Sequence, residues 1–230
     1  PEAVAEHALA LLMTVGRKTH KAYNRVRENN FSLEGLIGIN IYKQTVAVIG
    51  TGAIGSTFCK IKMGMGCKVL AYDHYENEHL KNVGVIYVKL AELIAQCSII
   101  SLHCPLTAET KHLINKESLS EMQEGVAIIN TSRGALIDTK AIIKSLKKKQ
   151  VGYLGIDVYE QEEDLFFQDL SAEILQEEDI ARLMNFPTVL ITDHQAFLTK
   201  EALHQIAFIT LTNLDELESG KALTNEIQFK

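Results

Sequence analysis

Three stretches of the chain end in groups that could hold an anion and move a proton. In Ile128-Ile129-Asn130-Thr131-Ser132-Arg133-Gly134 an apolar run breaks into polar residues, an arginine and a turn-relieving glycine. In an open α/β sheet, ligands bind outside the carboxyl ends of strands, so Arg133 projects where a ligand would lie, and its planar fork suits a carboxylate. From this segment alone, a surface salt bridge is the alternative. Gly155-Ile156-Asp157-Val158-Tyr159-Glu160-Gln161-Glu162 brings Asp157 and two glutamates to the same edge, and Val189-Leu190-Ile191-Thr192-Asp193-His194 brings a histidine. An imidazole bonded to a carboxylate is fixed in one tautomer with its charged form stabilised, as a proton donor near neutral pH requires. Spacing does not separate Glu160 from Glu162, because residues two apart on a strand share a face.

A second kind of chemistry belongs to Gly50-Thr51-Gly52-Ala53-Ile54-Gly55. A lone G-x-G-x-x-G means little, but this one follows the strand-like TVAVI, opens a helical pattern, and has an acid further on. Gly50 permits a tight turn, Gly52 lets the backbone approach a pyrophosphate, and Gly55 allows close helix–strand packing. The helix start adds free N–H groups and a positive dipole end. Asp73 stands 18 residues past Gly55, where a carboxylate accepts hydrogen bonds from ribose hydroxyls and repels a 2′-phosphate. No arginine follows in residues 73–80, which favours NAD over NADP. The alternative is a glycine turn with a surface aspartate.

Positioning these groups takes strands alternating with helices. Apolar runs rich in Val and Ile occupy residues 45–49, 68–72, 98–103, 126–130, 153–158 and 189–192, several without in-out alternation, as in strands covered on both faces. Between them, residues 54–65, 91–96, 117–122 and 139–148 have helical spacing. The pattern predicts βαβ units and a doubly wound α/β parallel sheet with right-handed crossovers. Residues 2–15 place Val4, Ala8, Leu11, Leu12 and Val15 on one helical face, suited to a dimer contact or to the chain's own sheet. Residues 199–220 form a second long helical pattern stopped by Gly220. The expected division is a nucleotide-binding domain over residues 1–196 and a helix of a second domain over residues 197–230.

Composition excludes other classes. Among 230 residues, 23 Lys and Arg face 29 Asp and Glu for a net charge of −6. Nine of the acids lie in residues 160–179 without a Lys or Arg, leaving the remainder at +3 and the acidity local. No basic stripe follows a phosphate backbone, and Lys147, Lys148 and Lys149 suit a solvated helix end, so no nucleic-acid partner is expected. The longest apolar run, residues 8–13, is far short of the roughly 18 residues of a membrane helix. Four cysteines without a C-x-x-C pair suit reduced thiols in a reducing, cytoplasmic compartment. His103-Cys104 lacks a second ligand pair, so no metal is expected. The chain begins with Pro1 and shows no signal peptide, as expected of a processed chain or a piece of a longer one.

Together these segments resemble the D-2-hydroxyacid dehydrogenase family, most closely its fermentative D-lactate branch. The resemblance is carried by PEAVAEHALALLM, NFSLEGL, VIGTGAIG, SLHCPLT, NTSRGALID, GIDVYEQEEDLFF and HQAFLTKEAL over nearly the whole chain. Residues 164–167, within the acidic stretch, resemble the lactate branch more than the shorter glutamate-proline pattern of the wider family. The resemblance implies a Rossmann-type NAD-binding domain and interconversion of pyruvate, or a similar 2-keto acid, with the D-2-hydroxy acid. Arg133 would bind the substrate carboxylate and keto oxygen, Glu162 would orient His194, and His194 would protonate the carbonyl oxygen as hydride arrives. Ala53, Ile54, Asp73, Cys104, Pro105, Thr131, Ser132 and Asp157 fall at positions that contact NAD in such enzymes. Asp193 stands where relatives often have glycine or proline, and would either strengthen the charge on His194 or draw it from its glutamate. Thr110 stands where the family has an asparagine near the cofactor. The match begins partway along the family's chain, which implies that most of the smaller substrate domain is absent here, and a homodimer is expected. The rival readings are a relative acting on glyoxylate, hydroxypyruvate or 3-phosphoglycerate, a corepressor-like NAD(H) sensor without turnover, and a truncated NAD binder.

Overall fold

Strand sequences with no polar face need cover on both sides, and the sheet supplies it. The computed structural model describes residues 1–163 and 165–227; Asp164, in the acidic stretch singled out above, lies outside the described residues. Helices α1 (Glu2–Arg17) and α2 (Thr19–Arg27) precede the first strand. The order is then β1 (Thr45–Ile49), α3 (Ala53–Gly64), β2 (Lys68–Tyr72), α4 (Glu78–Asn82), β3 (Ile86–Tyr87), α5 (Leu90–Gln96), β4 (Ile99–Leu102), α6 (Lys116–Glu121) and β5 (Val126–Asn130). The remainder is α7 (Thr139–Lys147), β6 (Val151–Ile156), α8 (Glu178–Asn185), β7 (Val189–Ile191) and α9 (Lys200–Glu218). The strands form one parallel sheet in the order β3-β2-β1-β4-β5-β6-β7. The winding reverses between β1 and β4, and the carboxyl ends of those strands therefore open onto a crevice.

Alternation along each strand divides the core in two. Val46 and Val48 join Leu11, Leu12, Phe58 and Ile129 on the side of α1 and α3. Ala47 and Ile49 join Leu93, Ile100, Ile128 and Leu154 on the side of the later helices. The apolar face of the first helix goes to the chain's own sheet: Ala5, Ala8, Leu11, Leu12 and Val15 are buried, and α1 packs on α3, β5 and β6. That face is therefore not free for a partner. By contrast α9 buries none of its residues, and Leu203, Ile206, Leu211 and Leu214 stand exposed.

The structure corrects several boundaries. The strand expected at residues 153–158 runs Val151–Ile156, so the segment from Asp157 to Glu162 is loop. The two-residue β3 and the helix α2, which buries nothing, carry too little apolar pattern to be read. Helix α8 begins inside the acidic stretch, where Glu177 accepts the N–H groups of Asp179 and Ile180; acids at a helix start are favoured by its unpaired N–H groups and dipole. Among the described residues no helix is long and apolar enough to cross a membrane. A lysine lies in the interior: Lys62 is fully buried with Nζ 4.7 Å from the centre of the Phe58 ring, and burial pushes its pKa down to about 8.

Candidate active site

β1 delivers the glycine turn to the crevice. Gly50 sits at φ +91°, and a Cβ there would lie 2.5 Å from the backbone nitrogen of Cys104. A Cβ on Gly55 would lie 1.9 Å from the Gly50 oxygen, which keeps α3 close to its strand. Gly52 is different: a Cβ there would meet nothing within 4 Å, so the fold itself does not require glycine. What that open space suits is a group lying against the backbone at the start of α3, where Ala53 is exposed and Gly52 offers no side-chain cap.

Asp73 follows the end of β2. One carboxyl oxygen accepts the Thr51 N–H at 2.6 Å and the Thr51 hydroxyl at 3.1 Å; the other accepts the Tyr75 N–H at 3.1 Å. Burial acts to raise its pKa, but these hydrogen bonds outweigh it and hold the carboxyl below its usual range. Tyr87 completes the network by donating its hydroxyl to Thr51 Oγ1 at 2.8 Å. Beside Asp73 lies a slot of about 370 Å³ lined by Gly50, Tyr72, Cys104, Pro105, Ala108 and Leu113 among others, which fits a flat ring with the aspartate at its polar end. Burial pushes the Cys104 thiol up to about 11, so it forms wall and not nucleophile. Thr110 donates its hydroxyl to the Pro105 carbonyl at 2.7 Å and so braces the loop.

At the end of β5, the fully buried Asn130 shapes the arginine turn. Its Nδ2 donates to the Arg133 carbonyl at 2.8 Å and its Oδ1 accepts the Ser132 N–H at 3.0 Å. The Ser132 hydroxyl donates to the Cys104 carbonyl at 2.6 Å, tying this turn to the nucleotide slot. Arg133 itself is exposed, donates Nη1 to the Ser132 carbonyl at 2.7 Å and, among the described residues, forms no ion pair. It shares a cavity of about 140 Å³ with Ile54, Thr131, Asp157, His194 and Phe197. Two buried polar atoms on this wall, Thr131 Oγ1 and His103 Nδ1, have no hydrogen-bond partner among the described residues. A glycine cradle, a ring slot and a cavity with unpaired polar atoms in series fit a dinucleotide with a polar-edged second ring.

The two glutamates separate because they lie on a loop. Glu162 Oε1 is 2.9 Å from His194 Nδ1, and its Oε2 accepts the Tyr159 N–H at 2.8 Å. Glu160 turns away to His112 Nε2 at 2.6 Å and the Thr139 hydroxyl at 2.8 Å; these bonds outweigh burial and hold its carboxyl below the usual range. With Nδ1–H given to Glu162, the other ring nitrogen of His194 is free to exchange a proton. Asp193 is exposed and, among the described residues, forms no ion pair. Asp157 lines the cavity but is fully buried and committed to protein donors.

Sequence reasoning missed Asn130, His103, Thr192 and His7. Asn130 was readable, since it closes the same strand that leads to Arg133. His103 follows β4, 2.8 Å from Ser101 Oγ, and burial takes its pKa down to about 3, so it stays neutral. His7 meets Thr192 across 185 residues, which no spacing rule reaches. Among the described residues no cluster of His, Cys, Asp and Glu could hold a metal ion.

Comparison with known proteins follows the same lines. Residues 9–196 match the family model "D-isomer specific 2-hydroxyacid dehydrogenase, NAD binding domain". The chain is 53% identical over 225 residues to a 2-hydroxyacid dehydrogenase homolog of Haemophilus influenzae, covering 98% of this chain and 68% of that one. It is 50% identical over 227 residues to the D-lactate dehydrogenase of Escherichia coli, covering 99% and 69%. A solved structure of the pyruvate reductase of Chlamydomonas reinhardtii superposes with a TM-score of 0.95 at 44% identity, covering 98% and 68%. The chain thus spans about two thirds of the length of these relatives.

Proposed function

The chain belongs to the D-isomer specific 2-hydroxyacid dehydrogenase family, with its NAD-binding domain, and from the site we propose that it reduces pyruvate to D-lactate and catalyses the reverse. When bound, NADH supplies the hydride for the carbonyl carbon. The chain's own residues do the rest. The glycine turn and the start of α3 hold the pyrophosphate, and Asp73 faces the ribose end of the ring slot. The Arg133 guanidinium forks onto the substrate carboxylate and turns the keto oxygen toward the imidazole. His194 donates the proton of its outer ring nitrogen to that oxygen, and Glu162, on the opposite nitrogen, carries the balancing charge. In the oxidative direction the same nitrogen takes the hydroxyl proton back.

One observation supports this reading above the others: the His194–Glu162 pair, at 2.9 Å, opens onto the same cavity as Arg133, which among the described residues forms no ion pair. A pure nucleotide sensor needs neither group. The acidic residues 160–179 argue against a phosphorylated substrate, which would want extra cations. Similarity to proteins named D-lactate dehydrogenase and pyruvate reductase points to pyruvate within the 2-keto acids. A homodimer in the reducing cytoplasm is part of the proposal; four free thiols, three of them buried, suit that compartment. The test is NADH consumption with pyruvate, glyoxylate and hydroxypyruvate, alongside NADH binding by fluorescence. Preference for pyruvate supports the proposal; tight NADH binding without turnover of any of the three refutes it.

A further inference from the structure

His194 stands at φ +59°, a left-handed backbone that non-glycine residues adopt only when held. The holding group is identifiable. A residue in that conformation turns the next N–H groups to one side, making a small concavity for an anion. Here the anion is Asp157, whose carboxylate accepts the N–H of Gln195 at 3.0 Å and of Ala196 at 2.8 Å. The Thr192 hydroxyl donates to the same carboxylate. Since the Thr192 proton is spent in that direction, its oxygen accepts from His7 Nε2, 3.0 Å away. The same His7 nitrogen lies 3.3 Å from Asp157 Oδ1. His7 sits on α1, a helix anchored on the sheet through Ala8, Leu11 and Leu12.

We propose that His7 is a positioning residue: through Thr192 and Asp157 it fixes the loop that presents His194 to the substrate. This rests on the proton-donor role assigned to His194 above. A fully buried carboxylate binds several donors strongly and keeps its direction only while they are all in place. Its pKa reflects the balance, with burial raising it and the bonds from His7, Thr192 and Ala196 lowering it further. Removing His7 takes the donor from the Thr192 oxygen and the imidazole from beside Asp157 Oδ1, so the Thr192–Asp157 bond loses its support and the concavity around residues 194–196 loosens. His7 is not among the residues that line the ring slot.

The experiment compares the full chain with His7→Leu, His7→Gln and Thr192→Val by amide hydrogen exchange, NADH binding and pyruvate turnover. In His7→Leu the Gln195 and Ala196 amides lose protection by roughly tenfold or more, as expected for a charge-assisted hydrogen bond, while sheet amides such as Ile128 keep theirs. Turnover falls about as far with NADH affinity unchanged, and His7→Gln, which restores a side-chain N–H, recovers both. Unchanged protection of Gln195 and Ala196 in His7→Leu overturns the proposal, as does failure of His7→Gln to recover it. If His7→Leu does not fold, Thr192→Val carries the same expectation through the same two amides. A parent chain that shows the exchange pattern but no turnover counts against the reaction assigned above and not against the network.

Discussion

Two glutamates two positions apart meet opposite fates: Glu162 pairs with His194, and Glu160 turns to His112. Glu162→Gln removes the charge beside His194 and is expected to lower turnover by roughly tenfold or more, because a charged partner is worth about 1.5–3 kcal/mol to the group it bonds. Glu160→Gln loosens His112 and Thr139 instead, so its effect is expected in melting temperature, with turnover nearly kept. Steady-state kinetics beside thermal melts separate the two; equal losses of turnover would show that the loop does not sort them. Arg133→Gln is expected to raise the pyruvate KM by roughly 10–100-fold, with the NADH Kd within about twofold, since the guanidinium reaches the substrate side of the cavity. A large loss of NADH affinity in that variant would move Arg133 into the cofactor site. Sequence spacing could not make the Glu160/Glu162 distinction, because it rests on where β6 stops. A strand running on to Glu162 would have put both side chains on one face.

At the scale of elements, the turn between β1 and α3 and the interior of α3 each carry a test. Gly52→Ala leaves the fold untouched, since its Cβ points into open space, and is expected to weaken NADH binding by about tenfold with no change in melting temperature. Titration of NADH fluorescence beside a melt checks it; unaltered affinity would place the pyrophosphate elsewhere. Lys62 gives a pH signature. Below about pH 8 the ammonium is carried by folded and unfolded chains alike, and folding bears the cost of burying it. Between about 8 and the ordinary 10.5 the unfolded chain binds that proton and the folded one does not, so stability rises with pH. Lys62→Met is therefore expected to be more stable by roughly 3 kcal/mol at neutral pH, a margin that closes as pH approaches 10.5, read by denaturant melts. A constant margin across that range would show that the amine titrates normally. Strands and long helices were legible because burial on both faces leaves continuous Val and Ile runs. The helix α2 was not, because it buries nothing; β3 was not, because two residues make no pattern; α8 was not, because its acids suggest a solvated loop until their place at a helix start is seen.

At the scale of the whole molecule, the parallel sheet does one thing for the site: it brings the ends of β1, β2, β4, β5 and β6, together with the loop after β7, to a single edge. Order along the chain predicts that convergence, and the glycine turn, Asp73, Arg133 and His194 were all placed by it. The supports behind them were not, since His7 and Thr192 meet only after the first helix has folded across the sheet. The apolar residues of α9 stand exposed, and the chain spans about two thirds of its relatives. The most direct measurement gives the chain pyruvate and NADH deuterated at the transferable position, then follows the label. D-lactate is expected to carry deuterium at C2, with the product lost in His194→Ala while the deuterated cofactor still binds. Cofactor bound with no labelled lactate, or label arriving equally well without the imidazole, would contradict it.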